Sequence, residues 1–230
     1  LNDAYFAYNT TLLSANPAIQ ASNFVADNST NNFQLTVAGS AKAQSLNPYQ
    51  AGYYSLYFNG SSGLVTSTST SNYTIPTSTT PFTLECWVFP TSTGTLYTAI
   101  STSGTTYEYT LSFGSAIGTY DGTAKPWFAV YNGSWFGVLS STAITPFQWT
   151  HVAAVFTGST CYIFQNGVQT ASGGPSTWPV TGSSDTVKIG TRNDAANYFT
   201  GYISNARIVI GTALYTAAFT PPTTPLLSVA

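Results

Sequence analysis

The segment WTHVAAVFTGSTCYIFQNGVQ, Trp149 to Gln169, decides how this chain folds. It holds the only histidine, His151, and one of the two cysteines, Cys161. Val152–Phe156 and Cys161–Gln165 are short runs rich in Val, Ile, Phe and Tyr, the residues that suit a pleated surface. Gly158-Ser159 separates the two runs. Asn166-Gly167 follows them, and Asn-Gly tolerates φ > 0 at both central residues, as a type I′ hairpin requires. The segment therefore reads as strand, turn, strand, hairpin turn, strand. His151 falls at the beginning of its first strand.

The same punctuation recurs outward from this segment. Phe82–Phe89 (FTLECWVF) places Phe82, Leu84, Cys86 and Val88 on one face and Thr83, Glu85, Trp87 and Phe89 on the other. Large apolar groups on both faces indicate a strand covered on both sides. Tyr54–Phe58, Tyr107–Phe113, Trp127–Tyr131, Trp135–Leu139, Val187–Gly190 and Tyr202–Ile210 continue the series. Asn132-Gly133 predicts a second type I′ hairpin, between FAVY and SWFGV. No long segment shows apolar residues at helical spacing. Many strands at regular turn spacing predict an all-β antiparallel sandwich or barrel.

Composition bounds the function. The chain has 230 residues, 43% of them hydrophobic, enough for a core without disulfides or metals. Only 5% are charged, against about 25% in an ordinary soluble protein. Ser, Thr, Asn and Gln supply the polar surface instead, and weak charge repulsion suits packing beside other subunits or near glycans. Five Lys and Arg without a cluster argue against a nucleic-acid partner. No apolar run reaches the roughly 18 residues of a membrane helix. Met is absent, so the chain is expected to be a processed product or a piece of something longer. Cys86 and Cys161 can pair only if their Cα atoms lie within about 7 Å; two buried free thiols are the expectation. The sequons at Asn9, Asn28, Asn59, Asn72 and Asn132 are about as many as such a composition yields by chance, and do not establish secretion.

Four chemistries compete. A nucleophile with His151 as base needs Ser or Cys in reach and an orienting group. No nucleophile-elbow signature is present, so His151 is expected to be structural, bonded to the backbone. Glycoside hydrolysis needs two carboxylates about 5–9 Å apart. The acids Asp3, Asp27, Glu85, Glu108, Asp121, Asp185 and Asp194 are all at least nine residues apart in sequence, and no paired acidic strand motif occurs. One histidine and two distant cysteines exclude a zinc cluster. Calcium takes oxygen ligands, and the loop Ala26–Asn32 offers Asp27, Asn28, Asn31 and Asn32. The alternative for that loop is an Asx turn, with these side chains bonded to the backbone. Aromatic residues are 15% of the chain. Trp127, Tyr131, Trp135, Trp149 and Trp178 gather in its middle. An exposed ring can stack on a sugar face. Alternation puts Trp127 and Tyr131 on one face of the hairpin; with Trp135 they are the candidate carbohydrate platform, and the alternative is that these rings fill the core or an interface.

The order of DNSTNNF (Asp27–Phe33), YYSLYFNGSSGLV (Tyr53–Val65), FTLECWVFP (Phe82–Pro90), WTHVAAVF (Trp149–Phe156), YIFQNGV (Tyr162–Val168), VKIGTR (Val187–Arg192) and the stretch Phe199–Leu226 resembles the laminin-G-like jelly roll of the concanavalin A-like lectin/glucanase superfamily. The closing GTALYTAAFTPPTTPL resembles a subgroup found in tail, fibre and capsid-associated proteins of bacteriophages. The resemblance implies a two-sheet antiparallel jelly roll over residues 10–226, with an N-terminal arm or linker at 1–9 and a tail at 227–230. It implies a structural histidine at His151. It also implies calcium in those members that keep an Asp at the Asp27 position and acids in the last strand, where this chain has Ser204 and Asn205. The reading is a non-enzymatic structural or adhesion domain of a phage virion or other extracellular assembly. Its partners would be copies of itself, a scaffold protein or cell-surface glycans, with the Pro-rich Thr220–Pro225 as an arm. The alternative is a lectin-like module of a secreted or surface protein, with calcium as the one candidate cofactor.

Overall fold

Strict alternation along Phe82–Pro90 gives the sandwich its organising strand. Phe82, Leu84, Cys86 and Val88 are fully buried in the main core, as the sequence predicts. The computed structural model describes residues 11–15, 25–49, 52–68, 70–92, 97–103, 108–116, 119–120, 123–131, 133–174, 186–192 and 197–226. The expected N-terminal arm at 1–9, the tail at 227–230, Tyr107, Asn132 and Trp178 lie outside them.

Strands are numbered β1 to β18 in chain order. The larger sheet runs β16 (Val168–Gly173), β15 (Cys161–Gln165), β14 (Thr150–Phe156), β7 (Phe82–Pro90), β18 (Thr200–Ile210), β1 (Thr11–Ala15) and β2 (Val25–Asp27). The first half of β18 pairs instead with β5 (Ser55–Asn59), and β5 with β4 (Lys42–Gln44). The second sheet runs β13 (Trp135–Leu139), β12 (Pro126–Tyr131), β9 (Glu108–Phe113), β8 (Tyr97–Ser103), β17 (Thr186–Ile189), β6 (Leu64–Ser67) and β3 (Leu35–Ala38). A small hairpin, β10 (Ser115–Ala116) with β11 (Thr119–Tyr120), stands apart. All paired strands named here are antiparallel, and the two sheets stack as a jelly-roll sandwich.

Rings close the gap between the sheets. Phe82 from β7 meets Tyr109 of β9 and Phe128 of β12, both at 5.4 Å. Phe199 meets Tyr97 at 5.2 Å and Phe113 at 6.2 Å. Each such buried side chain contributes about 1.5–3 kcal/mol of transfer free energy. Both cysteines are buried and free, and burial pushes the Cys161 thiol up to about 12.

The turns separate two expectations. Gln165 pairs with Val168 across a two-residue loop, and Asn166 (φ 48°) and Gly167 (φ 79°) both adopt positive φ. The predicted I′ geometry therefore holds there. Across the other hairpin Tyr131 pairs with Trp135, which leaves three residues in the loop rather than two. A two-residue loop would pair Tyr131 with Ser134 and lose the contact between the Tyr131 and Trp135 rings.

Residues 211–226 fold back as a strap over the outer face of the larger sheet. Leu214 N–H donates to Thr83 Oγ1 (3.0 Å), and Phe219 N–H to the Gly167 carbonyl (3.0 Å). Ala153, Val155 and Phe164 form a second small core beneath Tyr215 and Phe219. The Pro-rich stretch is thus a docked lid end, with Pro225 buried, and not a projecting arm. The stacked rings of the strap, Tyr215 and Phe219, find more apolar surface on the sheet than in solvent.

Candidate functional site

At one rim of the second sheet, the β12–β13 hairpin carries the three predicted aromatics. Phe128 and Val130 point into the core, so Trp127, Ala129 and Tyr131 face outward. The Trp135 ring lies 4.8 Å from Trp127 and 5.1 Å from Tyr131, tilted by 58° and 55°. The structure therefore brings all three together, in unequal roles. Trp127 is only 3% exposed and backs Trp135 from beneath; Tyr131 is 40% exposed and Trp135 half-buried. The accessible ledge consists of Tyr131 and Trp135. Beside it, Thr98, Thr110 and Ser112 are buried and bonded in a hydroxyl chain, Thr98 to Ser112 at 2.9 Å and Thr110 to Ser112 at 2.6 Å. Ser112 lies opposite Trp127 in register.

The Asp27 loop resolves differently. Asp27 is buried, and its Oδ1 accepts from Leu12 N–H (2.9 Å) and Ser29 N–H (3.0 Å). Its Oδ2 accepts from Ser29 Oγ (2.9 Å) and Phe33 N–H (2.9 Å). Four donors aimed at one carboxylate create a local field that opposes a cation. Asn31 and Asn32 are exposed, and Asn28 is half-buried. Asn31 Oδ1 accepts from Asn72 Nδ2 (3.2 Å), and Asn32 is at φ 47°. This donor set does not fit calcium; it fits an Asx-type staple that ties the loop to β1. Among the described residues no group of three or more His, Cys, Asp or Glu side chains is placed to hold a metal.

His151 is buried, and its ring meets a carboxylate rather than bonding the backbone as expected. Its Nε2 meets Glu85 Oε2 at 3.1 Å. Register explains this: His151 lies opposite Trp87, one step along the outer face from Glu85. The backbone of His151 is engaged separately, by Asn166. Arg207 Nε and Nη2 both bond Glu85 Oε1. Tyr215 Oη, brought by the strap, donates to Glu85 Oε2 at 2.9 Å and accepts from Arg207 Nη2 at 3.2 Å. Burial alone would raise the Glu85 pKa. The Arg207 charge, with the His151 and Arg207 contacts, outweighs it and holds the carboxyl down at about 2. The Tyr215 hydroxyl is pushed well above its usual range, by burial first and by the Glu85 charge. A carboxylate so enclosed is a structural anion and offers no open face to a substrate.

A bulge makes this cluster. Ser204 pairs with Trp87 and Arg207 with Glu85, so Asn205 and Ala206 together oppose Cys86. Asn205 absorbs the extra residue at φ 48°. Without the bulge, alternation from Tyr202 would turn Arg207 into the core. Of the remaining acids, Asp3, Asp121, Asp185 and Asp194 lie outside the described residues, as does the Glu108 side chain.

Two stacked antiparallel sheets of this order define a jelly-roll domain. The chain belongs to the concanavalin A-like lectin/glucanases superfamily: a laminin-G family model with that description matches residues 59–214. Among solved structures the chain is similar to domain 4 of AbnA, a GH43 extracellular arabinanase from Geobacillus stearothermophilus, solved in complex with arabinotriose. The TM-score is 0.63 at 17% identity, covering 95% of this chain and 100% of that one. It is also similar to the binding domain of Paraclostridial Mosquitocidal Protein 1 (TM-score 0.64, 14% identity, 91% and 50% covered). A third likeness is to a botulinum neurotoxin type C structure whose description reports cell entry dependent on two ganglioside molecules (0.60, 15%, 90% and 49%). The chain spans about half the length of these two toxin-related chains. At such identities the likeness is one of fold. A search of curated proteins found no match in sequence.

Proposed function

We propose that this chain is a non-enzymatic adhesion domain of a phage virion or other extracellular assembly, and that it attaches to glycans through the Tyr131–Trp135 ledge. The observation that carries the reading is that ledge: two accessible rings in contact, backed by a buried Trp127, on the hairpin at the edge of a sheet. Rings held rigidly by packing lose little entropy when a sugar face stacks on them. Low charge supports the same reading, because a surface of hydroxyls and amides sits beside glycans or neighbouring subunits without strong repulsion. Asp27 and Glu85, the acids whose side chains are described, are both buried and committed to bonds within the protein, which favours binding over hydrolysis.

The test is a glycan array probed with the full chain, with calcium and with chelator. Binding should be equal in both, lost in Trp135→Ala, and weakened in Tyr131→Ala by about 1–2 kcal/mol, some 5–30-fold. An array silent under both conditions refutes glycan attachment and leaves subunit packing as the role.

A further inference from the structure

Away from the strap, an aromatic row crosses the outer face of the larger sheet. Tyr57 alternates with the core residues Leu56 and Phe58, Tyr202 precedes the core residue Ile203, and Phe89 follows Val88, so all three point outward. Lys42 lies opposite Tyr57, Tyr57 opposite Tyr202, and Tyr202 opposite Phe89. Trp149 continues the line beside Phe89 as the chain enters β14. Ring centroids are 5.2 Å apart for Tyr57–Tyr202, 5.8 Å for Phe89–Tyr202 and 5.5 Å for Phe89–Trp149. The Lys42 ammonium stands 5.6 Å from the Tyr57 ring centre. All four rings are half-buried, and Lys42 is exposed.

Beyond Trp149, Phe147 is 64% exposed and holds φ 59°, its N–H bonded to the Pro90 carbonyl at 2.8 Å. A left-handed backbone under a bulky side chain costs free energy that burial does not return at this position. On the row's flank Asn59 and Thr200 lie opposite each other and add an amide and a hydroxyl.

We propose that this row is a second glycan site, independent of the hairpin ledge, which takes a linear acidic oligosaccharide with a carboxylate at Lys42. Tyr57, Tyr202 and Phe89 of the row stand on β5, β18 and β7, each paired on both sides, so a peptide has no edge to extend beneath them, while Lys42 stands on β4, which pairs with β5. What remains to be read is ring faces, phenol tips and one cation, the complement of a chain of sugar rings bearing an acid. One ring per strand gives a step of roughly 4.8 Å, close to the repeat of an extended pyranose chain. Glu85 and Arg207, the next charges along this face, are buried and paired with each other, so among the described residues of the row Lys42 is the charge that meets the ligand.

The experiment titrates the full chain with a mannuronate hexasaccharide and, separately, with cellohexaose, by calorimetry and by tryptophan fluorescence, in wild type and in Trp135→Ala. The acidic hexasaccharide should bind in both proteins, which separates this site from the ledge. Lys42→Ala, at an exposed position, should weaken it about tenfold and leave the thermal transition unchanged. Tyr202→Ala should abolish it, with circular dichroism confirming the fold. Binding of neither hexasaccharide, equal binding of both, or acid binding indifferent to Lys42→Ala overturns the proposal. Loss of binding in Trp135→Ala overturns its independence from the ledge.

Discussion

Replacing Arg207 by Leu tests whether the Glu85 cluster holds the strap to the sheet. The substitution removes the only fixed positive charge against a buried carboxylate and leaves Glu85 with His151 and Tyr215. Breaking one side of a buried pair costs about 3–5 kcal/mol, because the remaining charge stays desolvated. For a chain of this size that lowers Tm by about 6–20 °C. The double variant Glu85→Leu/Arg207→Leu removes both charges and should regain most of the loss. Glu85 also sets a pH dependence whose sign is determined. Its folded pKa lies below the ordinary 4.5, at about 2, so its contribution is fully present above pH 4.5. That contribution is lost as pH falls through the folded value. A shift of this size corresponds to on the order of 3 kcal/mol. Equilibrium urea unfolding at pH 7, and again between pH 4.5 and 2, measures both effects. Glu85→Gln should flatten the acid limb. The reasoning fails if Arg207→Leu costs under about 1 kcal/mol, or if the double variant is as unstable as the sum of its singles.

Two further outcomes follow from loop geometry. Gly167→Ala should destabilise by at least about 2 kcal/mol, since the position needs φ 79° and an added Cβ would stand 1.7 Å from the Phe219 carbonyl oxygen. Limited proteolysis should then cut within residues 211–226 before any other segment, and an intact strap would contradict the close approach. Asp27→Ala should cost on the order of 3 kcal/mol, because the buried Leu12 N–H loses its acceptor. Chelator should not move the wild-type melting curve, and a downward shift on chelation would restore a metal to this loop.

Local chemistry made much of this fold legible. Period-two alternation identifies the inner face of Phe82–Val88, and Asn166-Gly167 marks the β15–β16 hairpin, because side-chain direction and φ preference are properties of a few consecutive residues. The short strands Leu35–Ala38, Lys42–Gln44 and Leu64–Ser67 escape that reading, since each is too brief to show a pattern and exists through its neighbours. The three hairpin aromatics are visible as a cluster, for they are close in sequence. That Trp127 is sealed while Tyr131 is open depends on how the second sheet packs, and no spacing in the chain contains it. The tertiary structure also decided that His151 meets Glu85, that an Asn205 bulge turns Arg207 outward, and that Tyr57, Phe89, Trp149 and Tyr202 share one row. Each of these rests on strand order and register between distant segments. Those are set by the packing of the whole core, whereas turns and alternation are set by the sterics of adjacent residues.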